Sequence, residues 1–478
     1  MIIYEKSNPG RKGFSLPSLS CDEAVVDRLL DKKFLRATEA ELPELSKPTL
    51  VRHYIELSTK NHHIDKNFYP LGSCTMKYNP RVNDLAAGLP GFAGLHPLLD
   101  DDHCQGALQI MYELAQLLSD TTGFHSATLQ PVAGAHCELI GLLIIRAALT
   151  RRGNARKKVI IPDSAHGTNP ASVVLAGYEC RQIKSTEDGI LSAADVAKVV
   201  DSDTAAMMIT NPNTLGLFES EIEKITRIVH EAGGLVYMDG ANLNALLGQA
   251  KPAEMGYDVL HFNLHKTFST PHGGGGPGAG ALAVTEELEP FIPKPKISKK
   301  GDRYFRDFDR PYSVGQIHSH YGNFANMVRA YTYIRHLGPE GLRRVSENAV
   351  LNANYLMHLL KDIYELPHER TCMHEFVLSA VRQKKRGIRA IDIAKRLLDF
   401  GMHAPTIYFP LIVSEAIMIE PTETESVDTL DRFAEIMCQI DGEIEKQRDM
   451  LLSAPHTTPV RRLDEVRATR ELDINYQG

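Results

Sequence analysis

Four short apolar runs in the middle of the chain each end on polar residues, and this pattern restricts the fold more than any other feature. Val159 to Ile161 leads into Pro162-Asp163-Ser164-Ala165-His166-Gly167-Thr168-Asn169-Pro170, and Ala205 to Ile209 into Thr210-Asn211-Pro212-Asn213-Thr214. Leu235 to Met238 leads into Asp239-Gly240-Ala241-Asn242, and Val259 to Leu264 into His265-Lys266-Thr267-Phe268. Helical patterns at Asn169 to Ala176 and Glu219 to Ala232 lie between them. Short strands alternating with helices predict βαβ units and a largely parallel sheet. In such sheets the C-terminal strand ends face the crevice where ligands bind.

The flanking segments read differently. Residues 1–100 have weak periodicity and many turn formers, so they are expected to be an arm that packs on something else. Leu108, Met111, Leu114 and Leu117 predict an amphipathic helix over 105–118, which opens a large domain spanning 101–330. After Tyr321-Gly322-Asn323, helical patterns run from Phe324 to Arg335 and, past a break at Gly338-Pro339, from Leu342 to Leu360. Phe376 to Val381, Ile391 to Leu398, Ala416 to Ile419 and Val427 to Glu443 then alternate strand and helix. They predict a smaller C-terminal α/β domain over 331–455, with residues 456–478 as a polar tail.

Bulk properties exclude several classes. A formal net charge of −7 advertises no basic face for nucleic acid. The apolar run Leu139 to Ile145 stops at Arg146, far too short to cross a bilayer, and the stretch from Met1 to Lys6 has no signal-peptide core. The seven cysteines (Cys21, Cys74, Cys104, Cys137, Cys180, Cys372 and Cys438) are scattered and form no C-x-x-C pair. This predicts a reducing, cytoplasmic compartment and no metal cluster.

Lys266 stands between a strand-like run and a loop that is nearly all backbone, Pro271-His272-Gly273-Gly274-Gly275-Gly276-Pro277-Gly278. Gly273, Gly275 and Gly278 match a dinucleotide spacing, but Pro277 and Ala279 to Val284 read as a turn into a strand, not as a helix start. A strand-end lysine with a strand-end carboxylate, Asp239, is what a pyridoxal phosphate enzyme needs. The amine forms a Schiff base with the cofactor aldehyde, and the carboxylate keeps the pyridine nitrogen protonated. Gln130-Pro131-Val132-Ala133-Gly134-Ala135-His136-Cys137-Glu138 leads into the Leu139 helix pattern and offers free N–H groups to a phosphate. His136 either touches the cofactor or caps this turn. His166 can stack on a flat ring, and Asn211 or its neighbouring threonines can bond a phenolic oxygen. Singly each is an ordinary turn or cap; four successive strand ends carrying polar groups are poorly explained by chance.

Asp239-Gly240-Ala241-Asn242, Asn263-Leu264-His265-Lys266-Thr267-Phe268 and the Gly273 to Gly276 run resemble the P-proteins of the glycine cleavage system. Pro70-Leu71-Gly72-Ser73-Cys74-Thr75-Met76-Lys77-Tyr78-Asn79-Pro80 and Glu420-Pro421-Thr422-Glu423-Thr424 resemble that family too. The likeness runs from about residue 40 to 465 and is to the C-terminal half of the full-length family, which many bacteria make as a separate subunit 2. It implies a fold type I pyridoxal phosphate enzyme that decarboxylates glycine and transfers the aminomethyl group to the lipoyl arm of H-protein. It implies Lys266 as the cofactor lysine, Asp239 at the ring nitrogen, His166 over the ring and Gly134-Ala135-His136 at the phosphate. Ala241, Asn211, His265 and Thr267 are expected beside the cofactor. Cys137 departs from the glycine expected there. The implied partners are a subunit 1, in a hetero-oligomer of two chains of each kind, and H-protein. Alternatives at this stage are another fold type I enzyme, such as an aminotransferase or cysteine desulfurase, and a non-catalytic supporting subunit.

Overall fold

The computed structural model describes residues 2–18, 30–273 and 278–475. Gly274 to Pro277 of the glycine run, and Cys21, lie outside the described residues. The chain divides into two compact units, Met1–His63 with Thr457–Gly478, and Ile64–His456.

Among the described residues, the long helix of the first unit is Lys47–Lys60. Ser46 caps it by accepting the N–H of Thr49, and Pro48 sits in its first turn, where a missing N–H does no harm. Val51, Tyr54, Ile55 and Leu57 on this helix are exposed. Glu44 accepts the N–H of Gly10, and Lys6 pairs with Glu56.

The second unit is built on a seven-stranded sheet. Its strands are β1 (Ser126–Thr128), β2 (Lys158–Pro162), β3 (Glu179–Ile183), β4 (Thr204–Thr210), β5 (Leu235–Asp239), β6 (Val259–Asn263) and β7 (Gly280–Val284). Their order is β1-β7-β6-β5-β4-β2-β3. The pairs from β6 through β3 are parallel; β7 runs against both its neighbours. The mostly parallel sheet expected from the sequence is present. β4, β5 and β6 are apolar along nearly their whole length because both faces are covered. One face packs on the helix Gly134–Arg151, with Ile140, Ile144 and Ile145 buried against Tyr237 and Leu282. The other packs against the helices Gln105–Thr122 and Ile222–Glu231.

Lys296–Lys300 (β8) and Arg303–Asp307 (β9) form a separate hairpin. The segment Phe324–Leu360 is two helices joined at Gly338, which is non-helical at φ +63°, where the sequence shows a break. Beyond it β10 (Phe376–Ser379), β11 (Thr406–Ile407) and β12 (Ala416–Ile419) make an antiparallel sheet in the order β10-β12-β11. Helices Ala390–Asp399 and Val427–Lys446 cover it around a core of its own. Among the described residues no helix is long and apolar enough to cross a membrane.

The close approach of the Gly134 helix to the sheet depends on Gly141. A Cβ there would lie 2.2 Å from Tyr237 Cε2 and 3.1 Å from Leu282 Cδ1, both fully buried. Gly141→Ala is expected to destabilise the protein by roughly 1–3 kcal/mol through overpacking. Thermal unfolding checks this; an unchanged midpoint would show that the helix can lift off the sheet at little cost.

Candidate active site

The ends of β4, β5 and β6 open on a cavity of about 130 Å³. Gly134, Ala135, His166, Asp239, Ala241 and Lys266 line it. Strand pairing explains part of this convergence: Thr210 lies beside Asp239 and Asp239 beside His261 in the ladder.

Asp239 is buried, yet its oxygens are well supplied with donors. Oδ1 accepts the N–H of Ala241 at 3.1 Å; Oδ2 accepts from Asn169 Nδ2 at 3.2 Å and from the Thr210 hydroxyl at 3.4 Å. His261 Nε2 lies 3.3 Å from Oδ1, without the alignment of a hydrogen bond, and its Nδ1 meets the Tyr237 hydroxyl at 2.9 Å. Burial opposes the charge of Asp239, but His261, the Ala241 N–H, His166 and Lys266 hold its carboxyl below the usual range. It is therefore an ionised carboxylate in a dry setting.

The Lys266 ammonium has no hydrogen-bond or ion-pair partner among the described residues. Its loop is braced from behind. The N–H of Lys266 donates to the Asn263 carbonyl at 2.9 Å, and the Thr267 hydroxyl accepts the N–H of Leu243 at 2.8 Å. His166 is half-buried, and burial pushes its imidazole toward the neutral form. Its Nδ1 lies 2.9 Å from the Thr168 hydroxyl, which donates to Glu138 at 2.7 Å. Glu138 also accepts from Ser172 at 2.8 Å; burial, with Asp239 nearby, raises its carboxyl to about 7.

Gly134 and Ala135 begin the helix Gly134–Arg151, so their N–H groups have no intrahelical acceptor. A Cβ on Gly134 would sit 2.6 Å from Asn263 Oδ1; only glycine lets the helix start reach the end of β6. The other expected residues face elsewhere. His136 accepts the N–H of Val132 at 3.3 Å and does not line the cavity. Asn211 is turned into the protein, bonding Tyr257 at 3.2 Å and accepting the N–H of Glu219 at 3.1 Å. His265 exchanges contacts with Ala279, and Thr267 braces the loop, so neither lines the cavity. Cys137 is fully buried with its thiol on the Ala281 carbonyl at 3.5 Å, and burial keeps that thiol protonated.

Several lining residues were not singled out as site residues from the sequence: Ser73, Glu138, Thr168, Asn242, His261, Asn263, His374 and Glu375. Glu138 closes a stretch read only as a cradle. His261 and Asn263 occupy alternate positions in an apolar strand, a period-2 signal that polarity alone could have raised.

The segment containing Pro70 to Pro80 supplies the rear wall. Ser73 and Thr75 adopt left-handed backbone, at φ +65° and +51°, which costs roughly 1–3 kcal/mol at each non-glycine residue. Two carboxylates hold this turn. Glu375 accepts the N–H of Ser73 at 2.7 Å, and Glu420 accepts the N–H and hydroxyl of Thr75 at 2.8 and 2.7 Å. Asn242, four residues from Leu246 and three beyond Asp239 in the chain, donates to the same Glu420 at 2.7 Å. Lys77 is fully buried. Its ammonium donates to the Thr267 carbonyl and to Glu423, both at 2.7 Å, to the Tyr333 hydroxyl at 3.1 Å and to Asn244 at 3.4 Å.

The pattern of the glycine cleavage system P-protein matches residues 22–303, and that of the glycine dehydrogenase C-terminal domain matches residues 345–458. This chain belongs to the glycine cleavage system P-protein family. A probable glycine dehydrogenase (decarboxylating) subunit 2 of Bacillus licheniformis is 55% identical over 477 residues, covering 100% of this chain and 98% of that one. A protein of the same description from Pelodictyon phaeoclathratiforme is 56% identical over 474 residues, covering 99% and 98%. Among solved structures, an inhibitor-bound glycine decarboxylase (P-protein) aligns with a TM-score of 0.75 at 21% identity, covering 88% of this chain and 95% of that chain. A cysteine desulfurase from Thermococcus onnurineus shares the fold at a TM-score of 0.60 and 16% identity, covering 83% and 98%.

The fold is thus that of fold type I pyridoxal phosphate enzymes, and pyridoxal phosphate is the cofactor. The residues suit it on grounds of their own. An amine without a partner, an ionised buried carboxylate and a helix start with free N–H groups border one cavity, where Asn263 Oδ1 is buried and unsatisfied.

Breaking the buried Lys77–Glu423 pair should be severe. Lys77→Met is expected to destabilise the protein by about 3–5 kcal/mol, because Glu423 is left as a poorly compensated buried charge. Adding Glu423→Leu should recover much of that loss. Denaturant unfolding of the single and double variants checks both; equal stability of the Lys77→Met and wild-type chains would contradict this account.

Proposed function

We propose that this chain is the catalytic subunit 2 of a glycine decarboxylase, releasing carbon dioxide from glycine and passing the aminomethyl group to the lipoyl arm of H-protein. The observation that carries the reading is the shared cavity of Lys266 and Asp239 in a chain of this family. On this reading Lys266 holds the cofactor by its aldehyde. Gly134 and Ala135 receive the phosphate on their N–H groups, where the positive end of the helix dipole favours it. His166, neutral through burial, covers the ring face without adding charge. When bound, the cofactor supplies the electron sink for the pair left on the α-carbon as carbon dioxide departs.

The chain's own contribution is position and charge. Asp239 stays ionised through the donors around it and keeps a proton on the ring nitrogen facing it. Glu138, its carboxyl raised to about 7 by burial and Asp239, adds less negative charge there than an ordinary carboxylate would. Lys266, once displaced by the amine of glycine, is the nearby group able to hold or return a proton.

The partner chain on this reading is a subunit 1, in an assembly of two chains of each kind. Of the arm read over 1–100, the separate unit Met1–His63 is the part that meets it, since 64–100 belong to the catalytic unit; 101–330 is the cofactor domain, 331–455 the small domain and 456–478 the tail. The exposed apolar side chains of the Lys47–Lys60 helix support such packing. A reducing, cytoplasmic setting fits the cysteines, none of which is paired among the described residues.

Exchange of labelled bicarbonate into glycine, dependent on lipoylated H-protein and on added subunit 1, tests the activity. Transamination without that exchange would favour an aminotransferase. Borohydride reduction of the holoenzyme followed by peptide mapping should label Lys266 alone; a label on another lysine would sink the assignment. Asp239→Asn should retain some cofactor but lower the exchange rate by about 100-fold or more, as the charge on the ring nitrogen loses its counter-ion. A wild-type rate in this variant would remove the role given to Asp239.

A further inference from the structure

Among the described residues no arginine or second lysine lines the cavity, so these residues offer no cationic grip on an amino-acid carboxylate beyond Lys266. The cavity is, however, bordered by His374 and Glu375. Both are buried, at 2% and 4% exposure. Neither ring nitrogen of His374 has a hydrogen-bond partner, which is expensive for a buried imidazole unless a ligand completes it. We infer that His374 and Glu375 form the subsite for the substrate carboxylate, each offering one neutral hydrogen-bond donor. This rests on the glycine-decarboxylating reading and names the residues that grip its substrate.

The neighbouring groups determine which donors are available. The ligating atoms of His374, Glu375 and Glu420 lie within 4.8 Å of one another. Two carboxylates so close cannot both ionise without large repulsion. Burial raises the Glu420 carboxyl too, but it receives three donors, from the Thr75 N–H, the Thr75 hydroxyl and Asn242, so of the two it is the readier to carry the negative charge. Glu375 receives one, from the Ser73 N–H, and burial beside Glu420 pushes its carboxyl well up. Glu375 is therefore the acid form, with an O–H to give. Its nearest contact to the ring, Oε1 at 3.5 Å from His374 Nε2, leaves both free to turn toward a third group. Burial brings His374 down to about 3, so it is a neutral imidazole with one N–H. A metal ion fits this cluster less well, since the oxygens of Glu420 and Glu375 already accept these protein donors.

Neutral donors have a consequence that an arginine would not. They orient a carboxylate without surrounding it with positive charge, and negative charge on Glu420 disfavours the anion. The bound carboxylate is thereby less stabilised than in a cationic pocket, which favours its loss as neutral carbon dioxide.

The test compares two ligands that differ by the carboxylate alone. Glycine and methylamine are titrated into the holoenzyme co-purified with its companion subunit, and the cofactor's visible spectrum reports binding. His374→Ala should weaken glycine about 10- to 100-fold, while methylamine changes by less than about threefold. Glu375→Gln keeps an acceptor for Ser73 and a donor for the cavity, so it should hold glycine within about threefold; Glu375→Leu should not. Equal loss of both ligands, unchanged glycine affinity in His374→Ala, or loss of glycine in Glu375→Gln would overturn the subsite. The functional reading fails separately. If the wild type ignores glycine but binds another amino acid, that reading falls, and the subsite stands if His374→Ala weakens that amino acid relative to its decarboxylated amine.

Discussion

One buried ammonium connects the parts on which the site depends. Lys77 reaches the Thr267 carbonyl beside Lys266, Asn244 beyond Asp239, Tyr333 on the first helix of the Phe324–Leu360 segment, and Glu423 after β12. No two of these lie close in the chain. A charge removed from water must be paired and fully bonded. That requirement holds the cofactor loop, the Asp239 turn and the small sheet to one geometry. Glu423, with Tyr333 assisting, keeps the ammonium charged against burial.

A second constraint lies alongside. The left-handed turn at Ser73 and Thr75 is stable only because Glu375 and Glu420 accept its N–H groups. The same two carboxyl groups differ in donors, and burial raises Glu375 further than Glu420. A backbone requirement thus leaves one buried acid facing the substrate cavity, and strain in the turn is coupled to the chemistry of the wall.

The sheet was legible because β2, β4, β5 and β6 are apolar runs ended by turn formers, and Asp239 and Lys266 because they stand at two of those ends. β3 was not legible: it is an edge strand reading Glu-Cys-Arg-Gln-Ile, largely exposed, with no hydrophobic period. The β8–β9 hairpin, rich in lysine and arginine, gives no strand signal either. The Lys47–Lys60 helix was missed because its apolar residues are exposed rather than on one buried face. Site residues from distant segments were hidden for a different reason. His374 and Glu375 reach the cavity only through tertiary packing, and their place in the chain carries no trace of it. Asn211 shows the reverse limit: its place at a strand end was readable, but its side chain turns inward to satisfy Tyr257 and Glu219.

The central claim is that Lys266 and Asp239 address opposite ends of one cofactor held at the Gly134 helix start. A crystal structure of the holoenzyme tests this most directly. The account predicts continuous density from Lys266 Nζ to the cofactor, its ring nitrogen beside the Asp239 carboxylate and its phosphate on the N–H groups of Gly134 and Ala135. Density joined to another lysine, or a ring nitrogen turned away from Asp239, would contradict it.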